Sequence, residues 1–217
     1  MIRPRLSPGR MTGLGLSIPP LVRANPDEGA EIYGGHYRLA GVSVVAAGGA
    51  VFDITAADPA WLAALHGFGW LAGLRASGRL MDQVHARAQI AAWLERRHSR
   101  LARAPAVTAR RVIHLVQHAP FFLPGASESF TGALRAGLAT DLRRLIRWGG
   151  VVGRPEERMI AAVALGYAAH GFAGLGALQP LAARRISEAL ERQILPDGGH
   201  VSRNPAVLLD LLSLILP

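Results

Sequence analysis

The alternation of two kinds of helical segment from Asp58 onward constrains the fold more than any other feature of this chain. Segments with an apolar stripe and a charged back give way to segments that are apolar or small almost all round, and the junctions carry Gly or Pro. Asp58-Pro59 reads as an N-cap with a first-turn proline, after which Trp61, Leu62, Leu65, Phe68, Trp70, Leu71 and Leu74 recur at helical spacing until Gly78. A second helix is predicted from about Leu80 to His98, with Met81, Val84, Ala88, Ala91, Ala92 and Leu94 inward and Arg87, Arg96 and Arg97 outward. Pro105 to His118 predicts a third, stopped near Pro120, and Ser127-Glu128 opens a fourth that runs to Trp148. The fifth, from Pro155 to about Phe172, carries Met159, Ile160, Val163, Leu165, Ala168 and Ala169 and needs burial on most sides. Arg184 to Leu195 and Pro205 to Leu216 complete the series. Helices of this kind bury their apolar faces on one another, so the expected fold is mainly α: stacked helical hairpins with amphipathic outer and more apolar inner members.

Ahead of the helices, residues 1–30 are rich in Pro, Gly and Arg and read as an extended arm. Glu31 to Ile54, where Tyr, Val and Phe are interrupted by Gly34-Gly35, Gly41 and Gly48-Gly49, predicts short strands or a small hairpin. The chain therefore divides into an arm with a short β element over 1–56 and a helical part over 57–217. With 217 residues, half of them apolar, a single sizeable core is available. The mildly apolar run Met11 to Val22 is broken by Gly13, Gly15 and Pro19-Pro20, so no signal peptide is read. No window approaches the ~20 unbroken apolar residues of a membrane span. The expected location is cytoplasmic for the chain as it stands, and cell envelope or periplasm if its true start lies upstream.

The absence of cysteine excludes disulfides and thiolate chemistry. All 24 basic residues are Arg, giving a net charge of +9. Guanidinium favours planar carboxylate, sulfate or phosphate, which admits acidic polysaccharide and nucleic acid alike, and charge alone does not choose between them. The last helix ends in Leu214-Ile215-Leu216-Pro217 without a polar tail, so the chain reads as stopping in mid-architecture with an apolar face to cover.

Chemistry-bearing residues concentrate in one loop, Gln193 to Pro205, where Asp197, His200, Arg203 and Asn204 surround the Gly198-Gly199 pair. Loops carry binding groups more often than the elements they join. The same residues also fit a helix-to-helix turn, with Pro196 ending one helix and Asn204-Pro205 capping the next. Elsewhere, His114 and His118 are four apart on a helix without the glutamate of a zinc-hydrolase pattern, and no metal site or cofactor is expected. His118, beside Ala119-Pro120, is placed to project into a cleft or to cap the last carbonyls. His66 and Trp70, also four apart, suit either a sugar-stacking wall or the core. Arg110-Arg111 and Arg143-Arg144 read as solvated faces or as cleft-edge guanidiniums able to read a uronate. Glu156 and Glu157 favour a helix N-terminus. No phosphate-binding glycine loop, serine nucleophile elbow or helix-turn-helix signature is present.

The stretch Leu190-Glu191-Arg192-Gln193-Ile194-Leu195-Pro196-Asp197-Gly198-Gly199-His200 resembles the heparinase II/III-like family of bacterial polysaccharide lyases. Leu65-His66-Gly67-Phe68-Gly69-Trp70-Leu71 and Arg111-Val112-Ile113 through His118-Ala119-Pro120 support the resemblance, which runs from about Glu31 to the end. It implies an α/α toroid, incomplete here, ahead of a C-terminal antiparallel β-sandwich that this sequence lacks. It also implies cleavage of uronate-containing polysaccharide by β-elimination, with donors neutralising the carboxylate and an acid–base pair moving protons. The family pattern continues Asp-Gly-Gly-His-Phe-Glu-Arg-Ser-Pro-Met-Tyr-His. Asp197, Gly198, Gly199, His200, Arg203 and Pro205 match it, whereas Val201, Ser202 and Asn204 depart from it, and Val207 and Leu208 stand where the tyrosine and final histidine belong. The tyrosines present are Tyr33, Tyr37 and Tyr167, and Glu157, Arg158 and Met159 stand near the family's Asn-His pair.

The resemblance implies His200 as the proton-transfer group and Asn204 with Arg203 as carboxylate ligands, with His118, His66, Trp70 and Asp197 completing the substrate contacts. The expected function is the toroid part of such a lyase, cleaving or binding acidic polysaccharide. The alternative is a non-catalytic helical scaffold for glycan or protein, favoured by the missing tyrosine and sandwich. Nucleic-acid binding through Arg clusters rests on charge alone and is not adopted.

Overall fold

The computed structural model describes residues 11–46, 50–55, 57–96, 99–148 and 153–217. Two short antiparallel ribbons and nine α-helices make up these residues. β1 (Gly13–Leu14) pairs with β4 (Phe172–Ala173), and β2 (His36–Leu39) pairs with β3 (Val42–Val45) around an Ala40-Gly41 turn in which both residues have positive φ. Positive φ at both central residues is the geometry of a tight hairpin, so Gly41 marks this turn for a physical reason. The expected hairpin is present, while Gly48-Gly49 lies outside the described residues.

The helices are α1 (Pro26–Tyr33), α2 (Pro59–Gly67), α3 (Leu71–Ser77), α4 (Leu80–Leu94), α5 (Pro105–Phe122), α6 (Glu128–Trp148), α7 (Pro155–Gly171), α8 (Gln179–Gln193) and α9 (Pro205–Ile215). Asn25, Asp58 and Asn204 cap α1, α2 and α9, each accepting a first-turn backbone N–H, with Pro at the first helical position. The Arg154 N–H donates to Glu157 Oε2 at 3.1 Å, half of a capping box, which opens α7.

Several helix boundaries differ from expectation. The extended arm gives way to α1 at Pro26, because Asn25-Pro26-Asp27-Glu28 is a complete start signal, and Glu31 to Tyr33 end that helix rather than beginning a strand. The segment Asp58 to Gly78 is two helices, since Phe68 takes a left-handed conformation at φ 63° and ends α2. That conformation is unfavourable for an aromatic residue, and burial of its ring among Phe52, Trp70 and Trp93 holds it there. Helix α5 runs through Pro120 to Phe122. Side chains of α4 support its last turns, Gln83 Nε2 donating to the Phe121 carbonyl at 2.6 Å and Arg87 Nη1 to that of Pro124 at 2.8 Å.

Helix α4 is also rotated from the expected face. Met81, Val84 and Ala88 are exposed, and the buried stripe is Asp82, Ala86, Ile90 and Trp93. The large Ile90 and Trp93 side chains set the face, and Asp82 enters with them because Ser77 and Arg79 satisfy its carboxylate. Arg87 and Arg96 are not simply solvated: Arg96 forms a two-bond pair with Asp53 at 2.8 and 3.0 Å. Arg97 and His98 lie outside the described residues.

Helix α5 lies between α2 and α7, and α7 in turn touches α9, while α4 packs on α6, α6 on α5 and α8 on α7. α5 and α9 thus flank α7, with α4 and α6 packed on α5 and with α6 and α8 packed on α7. Helix α7, apolar or small on nearly every face, is the most enclosed: Met159 to Leu165 are all buried, as are Tyr167, Ala168 and Ala169. Met11, Ile32, Tyr37 and Phe52 join the same core as the helices, so residues on both sides of position 56 share one apolar interior. Among the described residues no helix is long and apolar enough to cross a membrane.

Candidate functional site

The loop between α8 and α9 is a closed unit. Ile194 and His200 form an antiparallel bridge, with Leu195 N donating to the Gly199 carbonyl and Val201 N to that of Gln193, both at 2.8 Å. Gly198, at φ 79°, turns the tip, where Gly199 N donates to Asp197 Oδ1 at 3.0 Å. Arg203 holds φ 53° and donates from Nη1 to Asp197 Oδ2 at 2.5 Å, so the guanidinium and carboxylate that the sequence offers as ligands clasp each other across the loop. That hydrogen bond, with help from the Gly199 N–H, holds the Asp197 carboxyl below its ordinary pKa.

His200 is only 2% exposed. Its Nδ1 accepts from the Ser202 backbone N–H at 3.1 Å and lies 2.8 Å from Ser202 Oγ, which fixes the proton on Nε2. Nε2 then donates to Gln193 Oε1 at 3.1 Å, and Gln193 Nε2 donates to the Pro155 carbonyl at 2.8 Å. The imidazole therefore ties the loop to the start of α7. Asn204 Oδ1 accepts from Ala206 N at 2.9 Å and starts α9. Sequence reasoning did not single out Gln193, although a carboxamide seven residues before the histidine was the available signal.

The remaining candidates lie elsewhere. His118 is 1% exposed on α5, and its buried Nδ1 has no hydrogen-bond partner. Burial, followed by the neighbouring His114 and Arg75, pushes its pKa down to about 3. Val116 packs against Gly171, so His118 sits toward the C-terminal end of α7, whereas the His200 loop is anchored at its N-terminal end. About 24 Å of helix separates those ends. His66 Nδ1 accepts from Trp93 Nε1 at 3.1 Å, and the ring stacks on Phe52 beside a pocket of about 220 Å³ that Leu62 and Arg96 also line. Trp70 belongs to α3's start rather than to His66's helix, is buried, and donates from Nε1 to the Leu65 carbonyl at 2.9 Å. Trp70 thus belongs to the core, while His66 lines that pocket. His66 and Trp70 are linked through the Phe68 ring cluster, and neither adjoins the His200 loop.

The Arg110-Arg111 pair likewise has a structural setting. Arg110 pairs with Asp210 of α9. Arg111 is fully buried, donating to Asp141 Oδ2 at 2.8 Å and to the His66 and Ala102 carbonyls at 3.0 Å, with its guanidinium 4.4 Å from the Trp93 ring centre. His114 Nδ1 donates to the Gly67 carbonyl at 2.6 Å. A separate groove of about 340 Å³ opens between α7, α8 and α9, mostly apolar with Tyr167, His170 and Gln179 as polar lining. Tyr167 donates to the Leu214 carbonyl at 3.0 Å and accepts from Gln117, and burial pushes its pKa up to about 12. It is a positioned phenol rather than a ready base.

No protein-family profile matches the chain, and no solved structure does. Over 209 residues it is 30% identical to FtsZ-localized protein C of Caulobacter vibrioides, an alignment covering 88% of this chain and 34% of that protein. The chain thus spans about a third of the length of the curated relative it matches.

Proposed function

We propose that this chain is a non-catalytic helical module that binds protein or glycan. The observation that carries this reading is the state of the His200 loop, where both ring nitrogens, the Asn204 carboxamide oxygen and the Asp197–Arg203 pair are engaged in holding the loop itself. A proton-transfer group in that position has to break the loop's own bonds before it reaches substrate. The run of helix contacts from α5 through α7 to α9, with α6 and α8 packed on α7, supports a partial α/α toroid as the module's architecture. The relative's name supports a protein partner, and this reading carries FtsZ localisation to the chain as part of the proposal.

A second reading, a polysaccharide lyase acting on uronate-containing chains by β-elimination, is favoured by Asp197, Gly198, Gly199, His200, Arg203 and Pro205, which match the family's loop. One experiment separates the two. The chain is incubated with alginate, heparin and other uronans while the absorbance of unsaturated product is followed, and retention on immobilised uronan and purified FtsZ is measured in parallel. The module reading expects retention on at least one of them with no product. Product that disappears in His200→Ala while the fold persists establishes the lyase, and absence of both product and retention removes both readings.

A further inference from the structure

Helices α8 and α9 follow one another in the chain, yet each packs on α7 rather than on the other. The space left between them is the groove of about 340 Å³. Its floor is α7 around Gly166, one wall is α8 at Ala183 and Ile186, and the opposite wall is α9 at Ile215. A Cβ at position 166 would lie 3.8 Å from Ile186 and 3.9 Å from Ala182, so the groove reaches the α7 backbone where glycine leaves room. Among the described residues that line it there is no Arg, Asp or Glu, and the Tyr167 hydroxyl is already engaged by the Leu214 carbonyl and Gln117. What seats there is therefore aliphatic and uncharged.

The same molecule presents a side-chain row of that kind. Leu211 and Leu214 of α9 are buried, whereas Leu209, Leu212 and Leu216 on its other face are 70%, 39% and 62% exposed. Their spacing of three and then four residues puts them in one line along the helix. A helix that is apolar on both faces is normally covered on both, and here one is open. Row and groove also agree in length. Seven residues separate Leu209 from Leu216, Gln179 from Ile186 along the α8 wall, and Val163 from His170 along the α7 floor, roughly 10 Å of helix in each case.

We propose that two copies of this chain associate about a two-fold axis, the leucine row of each α9 seating in the groove of the other copy. Each copy carries both the row and the groove, so one contact fills two seats at once, which is the closed, self-complementary arrangement of a homodimer. Residues at i, i+3 and i+7 are the anchors by which a helix lies in an apolar groove. Self-association of this kind is independent of what the module binds. It also has to overcome charge, since each copy carries a net +9 and the two repel. Added salt screens that repulsion and leaves apolar burial intact, so it should tighten the dimer.

The test is sedimentation velocity of the whole chain at low and high salt, over protein concentrations up to about 10⁻⁴ M, at which a micromolar dimer is nearly saturated. A reversible dimer that tightens with salt is expected. Leu209→Glu with Leu212→Glu should raise its dissociation constant more than about tenfold, as when two aliphatic anchors no longer leave water. Ala183→Glu, at an exposed position on the groove wall, should do the same from the other side of the contact. Leu80→Glu with Met81→Glu, at positions 73% and 55% exposed on α4, adds the same charge as the leucine pair and should leave the dimer within about twofold. Circular dichroism melts establish that the variants fold. A mixture of the Leu209→Glu/Leu212→Glu and Ala183→Glu chains keeps one intact seat per pair, so it should associate more tightly than either variant alone. A monomer throughout, loosening by salt, equal weakening by the α4 pair, or a mixture no tighter than its components overturns the proposal. A chain that stays monomeric and instead takes up a fluorescent fatty acid or a leucine-rich helical peptide, in a way that Ala183→Glu abolishes, overturns it in favour of that occupant.

Discussion

Arg111 shows how a single charged side chain is made part of a core. It is enclosed on every side, yet carboxylate, two carbonyls, a hydroxyl and an aromatic face meet its donors and its charge. Removing Arg111 leaves the buried Asp141 with Arg144 as its remaining ion partner. Arg111→Met should therefore cost about 3–5 kcal/mol in urea unfolding, and Arg111→Met with Asp141→Leu should cost less than the single change. His118 gives a second test. Its pKa lies near 3 in the folded chain against an ordinary 6.5, so the unfolded chain takes up the proton first. Stability is then full above pH 6.5 and falls as pH drops toward 3, by about 2 kcal/mol from this ring by pH 5. Melting temperatures between pH 7 and pH 4 should trace that fall, and His118→Leu should make it shallower, the rest coming from His114, whose pKa burial pushes down to about 4. The loop histidine differs in kind: His200 is held by hydrogen bonds at both nitrogens, whereas His118 is simply enclosed.

Between elements, close approach depends on residues without side chains. Gly29 of α1 lies on the Gly73 carbonyl of α3, and a Cβ at position 29 would fall far inside contact distance of that backbone oxygen. Alanine ordinarily favours a helix over glycine by about 1 kcal/mol. Gly29→Ala should nevertheless destabilise, by roughly 1–3 kcal/mol, because a backbone carbonyl has no rotamer with which to yield. Denaturant midpoints decide the sign. Caps and periodicity made most of the helices legible, with α6, α7 and α9 close to their expected spans. The misreadings have a common cause in tertiary contacts that override a local rule. Phe68 breaks a helix because its ring is wanted among three others, and Pro120 stays in one because α4 supplies donors to the turn that follows. The His200 loop was legible as a turn and as a site at once, since the residues that make a strong turn are the ones that would make a ligand shell.

Over the whole molecule, the segment before α1 holds the far end of the core shut. Met11 is buried, Gly15 N and Leu16 N donate to the Gly171 and His170 carbonyls at 2.8 Å, and β1 lies along β4. Deleting residues 1–22 should uncover Leu123, Leu134, Leu138 and Phe172, lowering the melting temperature and raising the fluorescence of a dye that binds exposed apolar surface. Unchanged melting and dye binding would place that segment outside the cooperative fold. Met11→Ala, which keeps the backbone pairing, should cost about 2–4 kcal/mol by itself. The candidate residues are distributed over this same body rather than gathered, which is why sequence spacing alone could not show that His118 and His200 belong to opposite ends of α7.

Helix α7 touches α5, α6, α8, α9 and the N-terminal segment, so no single neighbour can lift away and leave its backbone open to water. Its amides should consequently exchange with deuterium only when the entire chain comes apart, reporting the global unfolding free energy while α8 and the terminal turn of α9 exchange through smaller openings.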